Sequence, residues 1–176
     1  HPWFDGEGKI ILAVGRLSPE KDFATLLRAF ALVDPDLNAR LVLLGDGPLR
    51  DELLDLSHEL GLQDRVEFIG FRKNPYAYMK RASLLVLSSR WEGAPTVLIE
   101  AMSLGVPCVS TDCDFGPREI FENGQYGRLT PVGDSQTLAQ AIEETLANPL
   151  SADVLKTAVE GYSIARSARS YLKALF

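Results

Sequence analysis

Short runs rich in aliphatic and β-branched residues recur at residues 10–14, 41–44, 66–69, 84–87 and 106–110, with a sixth at 127–130. Their apolar character is nearly continuous instead of alternating, which suits strands covered on both faces. Between them, apolar positions return at helical spacing over 23–33, 49–60, 75–81 and 96–104, and again over 135–147. This β-α alternation, with no hairpin signal, predicts an α/β fold: a Rossmann-like, doubly wound parallel sheet of about six strands, with right-handed crossovers and helices on both faces. Beyond Asn148 and Pro149, two further helical patterns, one before Gly161 and one over 164–175, add C-terminal helices and no strand. A terminal helix there is expected to pack on the outer face of the sheet or on an absent partner domain.

The breaks in the pattern have their own chemistry. Gly45-Asp46-Gly47-Pro48 leaves a strand and opens a helix, while Gly61 and Gly105 fall where helices need a left-handed C-terminal residue. With 176 residues, 46% of them hydrophobic, the chain suits one domain spanning residues 1–176. A net charge of -6 argues against a nucleic-acid partner, although it leaves room for local cationic sites. Cys108 and Cys113, with only His1 and His58 beside them, are too few for a disulfide framework or a metal cluster. No apolar run is long enough to span a bilayer, and His1-Pro2-Trp3-Phe4-Asp5 does not resemble a signal peptide. The expectation is a soluble, cytoplasmic chain.

Ligands of open α/β sheets bind outside the carboxyl ends of the strands, so the loops after each apolar run carry the candidates. The first is Gly15-Arg16-Leu17-Ser18-Pro19-Glu20-Lys21. Its guanidinium and ammonium suit a diphosphate, and Gly15 permits close backbone approach. The alternative is two solvated cations paired with Glu20 and Asp22.

The second candidate loop runs from Ser88 through Glu92-Gly93-Ala94-Pro95-Thr96-Val97 to Glu100. Gly93 and Pro95 forbid a helix through Glu92, so a helix starts near Pro95 or Thr96 and turns its free N-H groups toward the same crevice. Glu92 then lies in the loop and Glu100 about one turn into the helix. The alternative for Glu92 is a solvated loop residue, and for Glu100 an early-helix acid favoured by the dipole. Glu100 has apolar neighbours on most sides, however, and a carboxylate there needs a partner such as a ribose hydroxyl.

These residues together resemble the C-terminal, donor-binding domain of the family 4 type retaining glycosyltransferases, the group 1 glycosyl transferases of GT-B fold. The likeness covers nearly the whole chain: Gly15-Arg16-Leu17 with Lys21, Gly45-Asp46-Gly47-Pro48, Arg65 through Gly70, and Glu92-Gly93-x-Pro95 followed by Glu100-Ala101-Met102-x-x-Gly105-x-Pro107. The Glu-x7-Glu spacing from Glu92 to Glu100 is that family's signature. The resemblance implies that Arg16 and Lys21 bind the donor diphosphate and stabilise the leaving nucleotide. It implies that Glu92 meets the transferred sugar, that Glu100 holds the ribose, and that backbone around Gly93, Ala94, Pro95, Thr96 and Val97 holds sugar or phosphate. The loop Phe71-Arg72-Lys73-Asn74 would receive the base, with Phe71, Arg72 and Asn74 as its contacts.

The segment Ser110 through Ile120 resembles a subset found among bacterial polysaccharide-building enzymes, while its local reading is a strand-to-helix turn with Pro117 near a helix start. The resemblance further implies an N-terminal domain, outside this sequence, that binds a glycan or lipid-linked glycan acceptor. On that resemblance such a fragment is expected to bind nucleotide without transferring sugar alone, and the full enzyme is expected to work in the cytoplasm or at the inner face of the membrane. His58, in a helical pattern, does not replace a functional histidine of that domain, and Cys108 reads as strand packing.

No cofactor is expected beyond the nucleotide-diphospho-sugar donor. No metal is expected either, because the cationic loop and helix terminus can neutralise a diphosphate. Two other readings stay open: a free-standing nucleotide-binding or regulatory module without catalysis, and a GT-B-fold epimerase relative. A phosphorylase would need a pyridoxal-binding lysine, for which the sequence has no signal.

Overall fold

Strands β1 (Lys9–Val14), β2 (Ala39–Leu44), β3 (Val66–Gly70), β4 (Leu84–Leu87), β5 (Cys108–Thr111) and β6 (Arg128–Thr130) form one parallel sheet in the computed structural model, which describes residues 2–6, 8–162, 166 and 172. Their spatial order is β3-β2-β1-β4-β5-β6. The chain therefore winds outward from β1 to one edge, returns to the other side of β1, and winds outward again. The expected doubly wound α/β fold of six strands is the one observed.

Residues of each strand alternate between two separate cores, which explains the unbroken apolar runs. Ile11, Ala13, Leu41, Leu43, Leu84 and Val86 pack with helices α1 (Phe23–Leu32), α2 (Arg50–Glu59) and α6 (Ser135–Ala147). Ile10, Leu12, Val42, Leu44, Leu85 and Leu87 pack with α3 (Tyr76–Met79), α4 (Thr96–Ser103), α5 (Pro117–Ile120) and α7 (Ala152–Val159). Each fully buried Leu, Ile or Phe contributes about 1.5–3 kcal/mol of transfer free energy, so neither face can lose its helices cheaply.

Two boundaries differ from expectation for local reasons. Strand β5 begins at Cys108, not at residue 106, because the Val106 N-H is taken by the Ala101 carbonyl at 3.0 Å in the closing turn of α4. Gly105 makes that turn with φ +79°. Strand β6 begins at Arg128, not Gly127, whose flat surface accommodates the Phe121 ring: a Cβ there would lie 2.6 Å from it. Gly61, with φ +68°, ends α2 as expected. Pro117 opens α5 after Gly116, and His58 is exposed in the last turn of α2. Helix α7 is the first of the two C-terminal patterns; the second, residues 164–175, lies outside the described residues except for Arg166 and Leu172.

Candidate functional site

The winding reverses between β1 and β4, and a crevice forms at such a switch point because the loops leaving the two strands turn to opposite faces. The loop after β1 is held from below by the glycine turn after β2. The Gly15 N-H donates to Leu44 O, Leu17 N-H to Asp46 O and Leu49 N-H to Leu17 O, each at 3.0 Å. Gly15 is itself a seat for Lys21, since a Cβ on it would lie 3.5 Å from the lysine's Cδ and Cε.

A single 3₁₀ turn, Pro19–Lys21, then delivers the chain to Asp22, which adopts the left-handed conformation with φ 43°. Asp tolerates that conformation better than most residues. Its carboxylate accepts from Thr25 N at 3.3 Å and Thr25 Oγ1 at 2.9 Å, capping α1. Glu20 accepts a 2.5 Å bond from Ser18 Oγ, and this bond is the main reason its pKa is lowered.

The loop after β4 is tied to this segment residue by residue. Ser88 Oγ donates to Lys21 O at 2.8 Å, Arg90 N-H to Glu20 O at 2.8 Å, and Arg90 Nε meets Asp22 Oδ2 at 3.1 Å. The central contact joins Lys21 Nζ to Glu92 Oε1 at 2.6 Å, with the side chains 21% and 8% exposed. Ser89 Oγ donates to the same oxygen at 2.6 Å. The pairing of Lys21 with Glu20 or Asp22, open from the sequence, is therefore corrected: Lys21 reaches Glu92 across the crevice, and Asp22 takes Arg90. Glu92 is not a solvated loop residue, since its side chain is only 8% exposed and accepts hydrogen bonds from Lys21 and Ser89. Its negative charge also adds to the burial that raises the pKa of the nearby Cys113 thiol.

Helix α4 starts where Gly93 and Pro95 predict, with Pro95 as its N-terminal flanking residue and no side chain capping it. Helices α1, α6 and α7, in contrast, are capped by Asp22, Asp134 and Ser151. Most of the remaining candidates divide among three hollows. Gly15, Arg16, Phe71 and Arg72 line a cavity of about 480 Å³ with Val14, Pro75 and the turn Leu44-Gly45-Asp46. Arg16 is exposed there and has no ion-pair partner among the described residues. Phe71 is 71% exposed. Gly93, Ala94 and Pro95 line a hollow of about 330 Å³ that continues to Phe115 and Gly116.

Thr96 and Glu100 line a third hollow, of about 730 Å³, against Lys156, Val159 and Tyr162 of the C-terminal region. Glu100 is half-buried, and the described residues offer its carboxylate no hydrogen bond. The structure thus brings Arg16, Phe71 and Arg72 together, and Lys21 and Glu92 together, but leaves Glu100 outside the Arg16 cavity. Asn74 is exposed and Val97 half-buried, and neither lines these hollows.

Sequence reasoning missed Ser88, Ser89, Asp22 and Arg90. The sequence offered only a Ser-Ser pair closing the apolar run of β4, which is ordinary until the structure shows both serines buried. It also overlooked two Asp-x-Asp spacings, at 34–36 and 112–114. Asp34 caps the short turn Pro35–Leu37 by accepting from Asp36 N, and Asp112 pairs with Arg118. No cluster of three His, Cys, Asp or Glu suited to a metal occurs among the described residues, and no described helix is long and apolar enough to cross a membrane.

Comparison with known proteins places this geometry in context. A family model described as glycosyl transferases group 1 matches residues 3–161. A Campylobacter jejuni protein, N-acetylgalactosamine-N,N'-diacetylbacillosaminyl-diphospho-undecaprenol 4-alpha-N-acetylgalactosaminyltransferase, is 37% identical over 93% of this chain and 46% of its own length. The lipopolysaccharide core biosynthesis glycosyltransferase LpsE of Rhizobium meliloti is 32% identical over 81% of this chain and 41% of its own. The chain thus spans less than half the length of these relatives. Among solved structures, Anabaena HepE in complex with UDP and glucose superposes with a TM-score of 0.78 at 31% identity, covering 86% of this chain and 42% of that one. The lipopolysaccharide outer core galactosyltransferase WaaB gives a TM-score of 0.87 at 27% identity, covering 97% and 49%.

Proposed function

This chain belongs to the glycosyl transferases group 1 family, and from that premise we propose that it binds the nucleotide-diphospho-sugar donor of a retaining sugar transfer. The observation that carries the proposal is the Lys21–Glu92 pair: a cation and a carboxylate 71 positions apart are held together at the switch-point crevice. Arg16 and Lys21 neutralise the diphosphate and the charge that grows on the departing nucleotide, which is electrostatic stabilisation of the transition state. Glu92 accepts hydrogen bonds from hydroxyls of the transferred sugar. The uncapped first turn of α4, with the Gly93 to Val97 backbone, adds N-H donors and dipole for phosphate or sugar oxygens.

The cavity between Phe71, Arg72 and Arg16 has the apolar walls and volume to take the base. Glu100 takes the ribose hydroxyls, which requires the ligand to extend from that cavity toward the start of α4. Of the relatives named above, one is named for an undecaprenol-diphosphate-linked acceptor and one for lipopolysaccharide core biosynthesis, and their extra length supports an acceptor-binding domain in the intact enzyme. Sugar transfer then needs both domains, and the chain alone binds without turnover.

Calorimetric titration with UDP, GDP and ADP, alongside Arg16→Ala, tests the reading. A guanidinium bonded to phosphate contributes about 1.5–3 kcal/mol, so the variant should bind about tenfold to a hundredfold more weakly. Equal affinity of the variant and the parent chain would overturn the assignment of the phosphate clamp.

A further inference from the structure

Glu92 carries an asymmetric set of partners. Lys21 Nζ and Ser89 Oγ both bond to Oε1, each at 2.6 Å, whereas Oε2 has no partner among the described residues. Ionised carboxylates have about four acceptor positions, so two are filled on one oxygen and the other oxygen stays open. The two donors differ in permanence. Lys21 is a flexible cation that a diphosphate competes for. Ser89 is 0% exposed, and its own carbonyl accepts a 2.6 Å bond from Thr111 Oγ1 of the neighbouring strand β5.

We propose that Ser89 is a positioning residue: its hydroxyl anchors Glu92 by Oε1 and leaves Oε2 to accept from the donor sugar, whether or not Lys21 has turned to the diphosphate. The physical need follows from burial. A carboxylate only 8% exposed is costly to hold without fixed donors, and when Lys21 moves to phosphate the buried hydroxyl still meets that need. A fixed rotamer also spares the ordering entropy that a loose Glu92 would lose on meeting the sugar. In this role Ser89, fully buried, acts only through its bond to Glu92. The inference rests on the functional reading above, in which Glu92 meets the sugar.

The test compares bare diphosphates with their sugar conjugates. The probes are UDP, GDP and ADP, and UDP-glucose, GDP-glucose and ADP-glucose, titrated calorimetrically against the 176-residue chain. For the nucleotide that binds, Ser89→Ala should weaken the glucose conjugate about tenfold, the loss expected for one hydrogen bond to a charged group, and change the bare diphosphate less than about twofold. Ser89→Cys, similar in size with a weak donor, should fall between. In a Glu92→Gln background, Ser89→Ala should have little further effect.

An equal loss for conjugate and bare diphosphate would show a merely structural serine and overturn the inference, as would an additive effect in the double variant. If Glu92→Gln weakens the conjugate and Ser89→Ala does not, the positioning role fails while the donor-site reading stands. If Glu92→Gln leaves the conjugate's advantage unchanged, or no probe binds the parent chain, the donor-site reading fails and the inference falls with it.

Discussion

Gly45 lies so close to Gly15 that a Cβ on it would stand 1.8 Å from the Gly15 carbonyl oxygen. Its neighbour Gly47 is similarly confined, with a Cβ position 2.4 Å from the Leu17 carbonyl. The glycine turn after β2 is therefore the floor on which the cationic loop rests, and its lack of side chains sets where Arg16 stands.

Gly45→Ala should cost about 3 kcal/mol of stability, combining overpacking against backbone with the φ of +149°. Gly133→Ala is the control: its φ is +78° but nothing lies within 4 Å, so only the conformational cost of about 1 kcal/mol applies. Urea unfolding midpoints measure both, and equal losses would contradict the floor described above.

Asp22→Ala should destabilise the chain by about 2 kcal/mol, because it removes the α1 cap and leaves a left-handed alanine. The Arg90 partner is about half exposed, so its share of that loss is small. Asp22→Asn keeps an acceptor and tolerates the conformation, and should lose less than about 1 kcal/mol by the same measurement.

Glu100→Ala distinguishes ribose binding from a role in helix packing. If Glu100 holds the ribose, the variant binds nucleoside diphosphate about tenfold more weakly and inorganic pyrophosphate equally well. Unchanged nucleotide affinity would instead assign Glu100 to the hollow it lines with Lys156 and Tyr162.

If Arg16, Lys21 and the start of α4 supply the compensating charge as proposed, nucleoside diphosphate affinity should be the same with and without a chelator of divalent ions. A loss on chelation that magnesium restores would show that a cation completes the site.

Burial pushes the thiols of Cys108 and Cys113 up from their ordinary range. In the folded chain they hold their protons to higher pH than in the unfolded chain, whose thiols ionise around about pH 8.5. The unfolded state then binds fewer protons, so this contribution is fully present below that pH and is lost as pH rises. Unfolding midpoints should fall between pH 7 and pH 10, and Cys108→Ala should flatten the slope.

Much of the fold was legible in the chain. The apolar runs of β1, β2 and β4 are unbroken because both faces are covered, and Gly61, Gly105 and Pro117 mark helix ends that depend only on local backbone geometry. Arg16, Lys21 and Glu92 were legible as site candidates because they follow strands, and strand ends of an open α/β sheet converge. Ser89 was not, since a serine at the end of a strand is ordinary until its burial is known.

Sequence by itself determined the alternation of strands and helices, the positions of the breaks and the kinds of charge in each loop, because these depend on neighbours within about one helical turn. Only tertiary structure decided who meets whom: Lys21 with Glu92 and not Glu20, Asp22 with Arg90, Gly45 beneath Gly15, and Glu100 in a hollow apart from Arg16. Those outcomes depend on the order in which six strands lie side by side, which joins residues about 70 positions apart. Local propensity carries no record of that order.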